Sequence, residues 1–317
     1  MGSATLWVPL GAALTAWLIV QPLPLVSPLL VALVMGVVVA NSVLRKSVVG
    51  RSDAGKTRQL LRAGIVLLGF RMQWSDIVDI GIAGLAVIVL TVVATYWLTM
   101  WMGRILGLER GLVSLIAAGF SICGAAAIAM MQDALKVKQR DVGYALALVT
   151  AYGTVMMAAV PLLSTLLRLP EHRAAIWAGA SIHEVAQVVA SAAAIGPGAV
   201  ALATSVKLGR VMLLAPTYAL VARNADDSSG RPPAPMPWFV LGFFATATIK
   251  STGVLSQELV DALNLLTTLL LAAAMFGLGT AIRGRELWPL PARATVLGGF
   301  ATVGAALVSL GAVVVLN

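Results

Sequence analysis

Residues 178–190 read A-G-A-S-I-H-E-V-A-Q-V-V-A and set His183, Glu184 and Gln187 inside a run that is otherwise small or apolar. Helical spacing puts Gln187 within one turn of both Glu184 and His183, so the three heads form one polar wedge. An imidazole beside a carboxyl can titrate near neutral pH, and the wedge is expected to couple to protons or to gate. A second constellation, T-S-V-K-L-G-R, places Thr204, Lys207 and Arg210 on one face of a later helix. A cation at the bilayer centre costs about 2.5 to 3.5 kcal/mol on insertion scales, so Lys207 and Arg210 point to an anionic solute. The plain alternative is that Lys207 snorkels to the headgroups.

Two glycine-bearing stretches, G-F-S-I-C-G (119–124) and F-G-L-G-T (276–280), interrupt apolar runs. An unwound turn at either would expose backbone N–H groups at the positive end of a half-helix, which binds anions without a charged side chain. Ser121, Cys123, Gly124, Gly279 and Thr280 are therefore expected to bind substrate with Lys207 and Arg210. The alternative is that these glycines only let helices pack closely. Asn41, opposite the wedge in the first half of the chain, and Arg71, followed by Asp76 and Asp79, are expected to gate or to take part in proton coupling. Arg71 reads equally as an interfacial anchor.

Glu184 is the one acid deep in an apolar segment, against Lys207, Arg210 and Arg71, and that balance suits an anion. A cation/proton antiporter with Glu184 as carrier is a competing reading. A third is an intramembrane enzyme using Cys123 or His183, although H-E-x-x-H, G-x-S-x-G and a phosphate-binding glycine loop are all missing. With His172 and His183 as the only histidines, no His-rich metal site is possible; no metal and no cofactor is expected.

The elements that position these groups follow from composition. Hydrophobic residues make up 60% of the chain and charged residues 11%, with a mean hydropathy of +0.95. Soluble domains carry about a quarter charged residues, so this composition describes an all-α polytopic membrane protein. About eleven apolar segments recur, near residues 6–20, 25–43, 60–73, 82–102, 111–131, 142–167, 174–195, 199–222, 237–252, 259–282 and 293–316. The first reads as a retained helix, without the flanks of a signal peptide. The net charge of +9 sits mainly in short loops, such as the connector from Arg45 to Arg58, and sets orientation rather than binding nucleic acid. Lys136, Lys138 and Arg140 lie on the other side, which places the N-terminus inside the cell and the C-terminus outside. Asn224 to Pro237 reads as a linker.

Setting the first helix aside, weak internal matches suggest an inverted 5+5 repeat with broken helices in one membrane domain: 1–24 as an extra helix, 25–169 and 170–317 as halves. V-M-G-V-V-V-A-N around Gly36 pairs with the stretch around Gly179, and A-G-F-S-I-C-G-A around Cys123 pairs with A-M-F-G-L-G-T-A around Gly279. The expected partners are a small anion and the lipid bilayer, and a homodimer is compatible with the chain.

Several strings carry a family resemblance: L-L-R-A-G-I-V-L-L-G-F-R (60–71), S-I-C-G-A-A-A-I-A (121–129), W-A-G-A-S-I-H-E-V-A-Q-V-V-A (177–190), V-K-L-G-R-V-M-L-L-A-P (206–216) and P-W-F-V-L-G-F (237–243). Through them the chain resembles the sulfate exporter family of conserved hypothetical bacterial inner-membrane proteins. Gly209 departs from it, where a bulkier polar residue is expected before the arginine. The resemblance implies the fold of inverted-repeat secondary transporters and export of sulfate or a related sulfonate.

Overall fold

A computed structural model describes residues 4–21, 28–42, 54–135, 137–223, 238–280 and 291–316. All regular structure among them is helical: α1 (Ala4–Val20), α2 (Pro28–Ala40), α3 (Ala54–Leu68) with a 3-10 turn (Gly69–Arg71), α4 (Trp74–Ile105), α5 (Arg110–Ser121), α6 (Ala125–Leu135), α7 (Gln139–Leu166), α8 (Glu171–Ser181), α9 (Val185–Ile195), α10 (Ala199–Met212), α11 (Leu214–Arg223), α12 (Trp238–Ser251), α13 (Gln257–Thr280) and α14 (Ala292–Leu316). The described part of each expected apolar segment falls mainly on one helix or on two in succession. Among the described residues, 5 helices are long and apolar enough to cross a bilayer by length and composition: Ile80–Ile105, Gln139–Leu166, Ala199–Val221, Gln257–Thr280 and Ala292–Leu316. Large apolar side chains point outward along them, Ile82 at 88% exposure and Leu307 at 64%. Such a surface needs a lipid solvent. The protein is an all-helical polytopic membrane protein. Most of the basic connector after Ser42 and all of the 224–237 linker lie outside the described residues, as do Lys136, Arg283, Arg285 and the side chains of Asp76 and Asp79.

The chain forms two compact units, one from Met1–Trp74 with Pro237–Pro289, the other from Ser75–Met236 with Leu290–Asn317. Each draws on both halves of the sequence, so the repeat boundary expected near residue 170 is not a boundary between units.

In the first unit α13 packs against α1, α2 and α3, and α12 against α3. The contact with α2 is a crossing of small residues. A Cβ on Gly36 would meet the Phe276 carbonyl and lie 3.0 Å from Gly279 Cα; one on Gly279 would meet the Leu33 carbonyl. This corrects the expectation for F-G-L-G-T. α13 runs unbroken from Gln257 to Thr280, Gly279 serves close approach to the α2 backbone, Gly277 makes room for the Thr57 side chain, and Thr280 Oγ1 donates to the Gly277 carbonyl at 2.7 Å. Arg71 is half-buried, and its Nη2 donates to the Asn264 carbonyl (2.9 Å) and to Thr268 Oγ1 (2.6 Å), tying the turn after α3 to α13. Asn41 is exposed after α2, where its side-chain amide donates to the Val37 carbonyl at 2.7 Å.

The second unit holds α5 to α11 and α14, with α4 from Ser75 onward. Gly81 interrupts α4 with φ 69° and ψ 174°, a backbone that glycine adopts without a Cβ penalty. A buried core gathers Ile176, Trp177 and Ile182 against Val188, Ala203, Val206 and Val313. Trp177 Nε1 donates to the Ala306 carbonyl at 2.9 Å, which fixes α8 on α14.

Candidate functional site

Two of the apolar segments in the second unit are broken, and the breaks meet. The first lies between α5 and α6. The Gly124 amide donates back to the Gly119 carbonyl at 2.9 Å, and Gly124 has φ 73°, the left-handed geometry that commonly closes a helix C-terminus. The second lies between α8 and α9, where Ile182 (ψ 148°) and Glu184 (ψ 149°) are extended. This overturns the reading of residues 178–190 as one helix. The polar wedge is the interruption itself, with Gln187 in the first turn of the next helix.

A broken helix leaves carbonyls at one end and amides at the other without partners, which is costly away from water. The carbonyls are satisfied from α10. Lys207 Nζ donates to the Ile122 carbonyl (2.8 Å) and the Ile182 carbonyl (2.7 Å), one at each break. Arg210, one turn on, donates through Nε and Nη2 to Ser121 (3.1 and 2.7 Å), through Nη2 to Phe120 (3.0 Å), and through Nη1 to Gly179 (3.3 Å), Ala180 (2.6 Å) and Ile182 (3.1 Å). Both side chains are fully buried. Lys207 therefore does not snorkel. Cations at the negative ends of α5 and α8 are also favoured by the helix dipoles.

One amide at the start of each half-helix is satisfied by the same acid. Glu184 is the N-cap of α9 in a capping box: its side chain accepts from the Gln187 amide while Gln187 Oε1 accepts from the Glu184 amide at 3.2 Å. Glu184 Oε1 also accepts from the Ala125 amide at the start of α6, at 3.3 Å. A single carboxylate thus faces the positive ends of both half-helices, lying over Gly124, where a Cβ would be 2.6 Å from Glu184 Cγ. Gln187 Nε2 reaches the Thr150 carbonyl of α7 at 3.5 Å.

His183 is fully buried with its ring centre 4.5 Å from that of Phe120. Its Nε2 is 3.0 Å from Thr302 Oγ1, whose own hydrogen goes to the Gly298 carbonyl at 2.9 Å. With its hydrogen on Nε2, the ring donates to Thr302 and Nδ1 is an acceptor without a hydrogen-bond partner. Cys123 is a buried free thiol in the first break. Ser121 contributes its carbonyl to Arg210, and its hydroxyl turns to the Ala118 carbonyl at 3.5 Å.

The structure thus gathers Ser121, Cys123, Gly124, His183, Glu184, Gln187, Lys207 and Arg210 around two crossed breaks. Asn41, Arg71, Gly279 and Thr280 belong to the first unit. Arg210 has every nitrogen committed to carbonyls, whereas Lys207 keeps one ammonium N–H uncommitted. The sequence held two signals for the second break. The string A-G-x-S-I occurs at 118–122 and again at 178–182, ending each time at a break, and E-x-x-Q before an apolar run has the spacing of a capping box, with Glu in place of its usual Ser or Thr.

The family described as conserved hypothetical protein 698 matches residues 5–298. The chain belongs to this family. It is 40% identical over 267 residues to a UPF0324 membrane protein of Corynebacterium glutamicum, covering 83% of this chain and 77% of that one. It is 35% identical to a UPF0324 membrane protein of Pasteurella multocida, covering 86% and 87%. It is 38% identical to the UPF0324 inner membrane protein YeiH of Escherichia coli K12, covering 80% and 75%. No solved structure matches the chain.

Proposed function

We propose that this protein is a secondary active transporter that exports a small anion, a sulfur oxyanion or an organosulfonate, across the bacterial inner membrane, with its N-terminus in the cytoplasm and its C-terminus outside. The observation that carries the proposal is the pair of half-helix N-termini, α6 and α9, converging beside the uncommitted N–H of Lys207. Helix N-termini at membrane depth are anion sites in other broken-helix transporters, and irregular backbone is tolerated there only where it lines a cavity or is buried in protein. Membership of a membrane-protein family supports the location, and the likeness to a relative named as an inner membrane protein supports the particular membrane. The resemblance to sulfate exporters supports the substrate class.

The anion seat in this reading consists of the Ala125 and Gln187 amides and Lys207. Arg210 holds the two breaks in register without touching substrate. Radiolabelled sulfate and methanesulfonate counterflow in proteoliposomes tests it. Counterflow should fall about tenfold or more in Lys207→Gln, the loss of roughly one charge-assisted hydrogen bond. A sodium-driven pH change that needs no anion would instead favour a cation/proton antiporter and overturn the proposal.

A further inference from the structure

The anion seat is already occupied by a side chain. Glu184 faces the first turns of both α6 and α9, and the charged or titratable groups around it are Lys207 and Arg210 from α10, Cys123 from the α5–α6 turn and His183 beside it; Gln187 and Thr150 on its other side are neutral. An external anion and this carboxylate would use the same amides, and two negative charges cannot share them at low dielectric. A carboxyl that takes up a proton loses its claim on the helix ends and gains an O–H that needs an acceptor. The adjacent residue offers one in its Nε2–H form, the fully buried Nδ1 of His183, which has no hydrogen-bond partner.

Resting on the transport reading above, we propose that Glu184 is a built-in competitor for the substrate: its carboxylate holds the seat until a proton binds to a Glu184 oxygen and the neutral side chain withdraws toward His183, letting the anion in. Each anion then binds together with one proton, and a monoanion enters without changing the charge of the buried site. The anion's departure returns the proton and reseats the carboxylate, so the empty protein is never left with two unsatisfied helix ends.

Sulfate and methanesulfonate are suitable probes because neither changes charge between about pH 5.5 and about pH 8, so a pH dependence of binding belongs to the protein. Calorimetric titration of the purified full-length protein should show affinity weakening as pH rises, by up to about tenfold per pH unit for one linked proton. Glu184→Gln, which keeps a carbonyl oxygen for the Ala125 amide but cannot lose a proton, should bind the same anions with no slope. A flat profile in the parent, or an equal slope in Glu184→Gln, overturns the proposal while leaving anion transport standing. If neither anion binds either protein at any pH, the transport reading falls with it. Should Glu184→Gln fail to fold, titrating the parent in two buffers of different ionisation enthalpy decides: uptake of about one proton per anion supports the competitor role, and no uptake overturns it.

Discussion

The segment 119–124 and the segment 276–280 look alike in sequence, each a pair of glycines with a hydroxyl residue inside an apolar run, yet the first breaks its helix and the second does not. Glycine content cannot be the reason. What differs is the supply of alternative partners. At the first, Lys207 and Arg210 take over the carbonyls of Phe120, Ser121 and Ile122, and Glu184 takes the Ala125 amide. At the second, the facing surfaces are the backbone of α2 around Leu33 and Gly36, packed on Gly279, and the Thr57 side chain of α3, packed on Gly277. In lipid a helix opens only where something else can pair its backbone.

The largest effect expected from this contrast is on Arg210. Arg210→Met would strip donors from carbonyls at both breaks, each worth about 1 to 3 kcal/mol when buried and unpaired, so a loss on the order of 3 to 5 kcal/mol is expected. Thermal unfolding in detergent reads it, and a near-wild-type midpoint would mean the breaks do not depend on this side chain. Next comes Gly279→Val, which forces α13 away from α2 at a cost of about 1 to 3 kcal/mol by overpacking. Anion binding should survive in the molecules that remain folded; unchanged stability with lost binding would restore Gly279 as a substrate ligand.

Gly124→Ala is smaller. Its positive φ adds roughly 1 to 2 kcal/mol for a residue with a Cβ, and the new methyl would press on Glu184 Cγ. Both effects fall on the anion seat, so a lowered midpoint should come with weakened sulfate binding, and calorimetry showing intact binding would separate Gly124 from the seat. The smallest effect is expected for Cys123→Ser, within about 1 kcal/mol, because an isosteric change in a residue with no essential bond does little. Loss of all measured activity in that variant would revive the intramembrane enzyme reading.

Much of the fold was legible because hydropathy is a local property. The expected segments land on helices, and a break at Gly119–Gly124 was expected from its glycines, hydroxyl and thiol, although the like pattern at 276–280 stays helical. The break at Ile182–Glu184 was not read, because His183, Glu184 and Gln187 also satisfy helical spacing. Only the recurrence of A-G-x-S-I and the capping-box pattern distinguish the two interpretations. The roles of Lys207 and Arg210 were half legible. Two cations on one face signalled a buried polar demand, but that demand comes from carbonyls 85 to 90 residues away at Phe120 to Ile122 and 25 to 31 residues away at Gly179 to Ile182, separations no local pattern encodes. The expectation that both cations bind substrate therefore narrows to Lys207.

The most direct test of an anion seat at the crossed breaks is an anomalous-diffraction map of crystals grown with selenate, a heavier analogue of sulfate, at a pH low enough to protonate carboxylates. The expected result is a peak between the first turns of α6 and α9, within hydrogen-bonding distance of Lys207 Nζ, with the Glu184 side chain turned away. A peak beside Gly279 and Thr280 with none at the breaks, or a Glu184 carboxylate still capping both helices while selenate binds elsewhere in the membrane region, would contradict it.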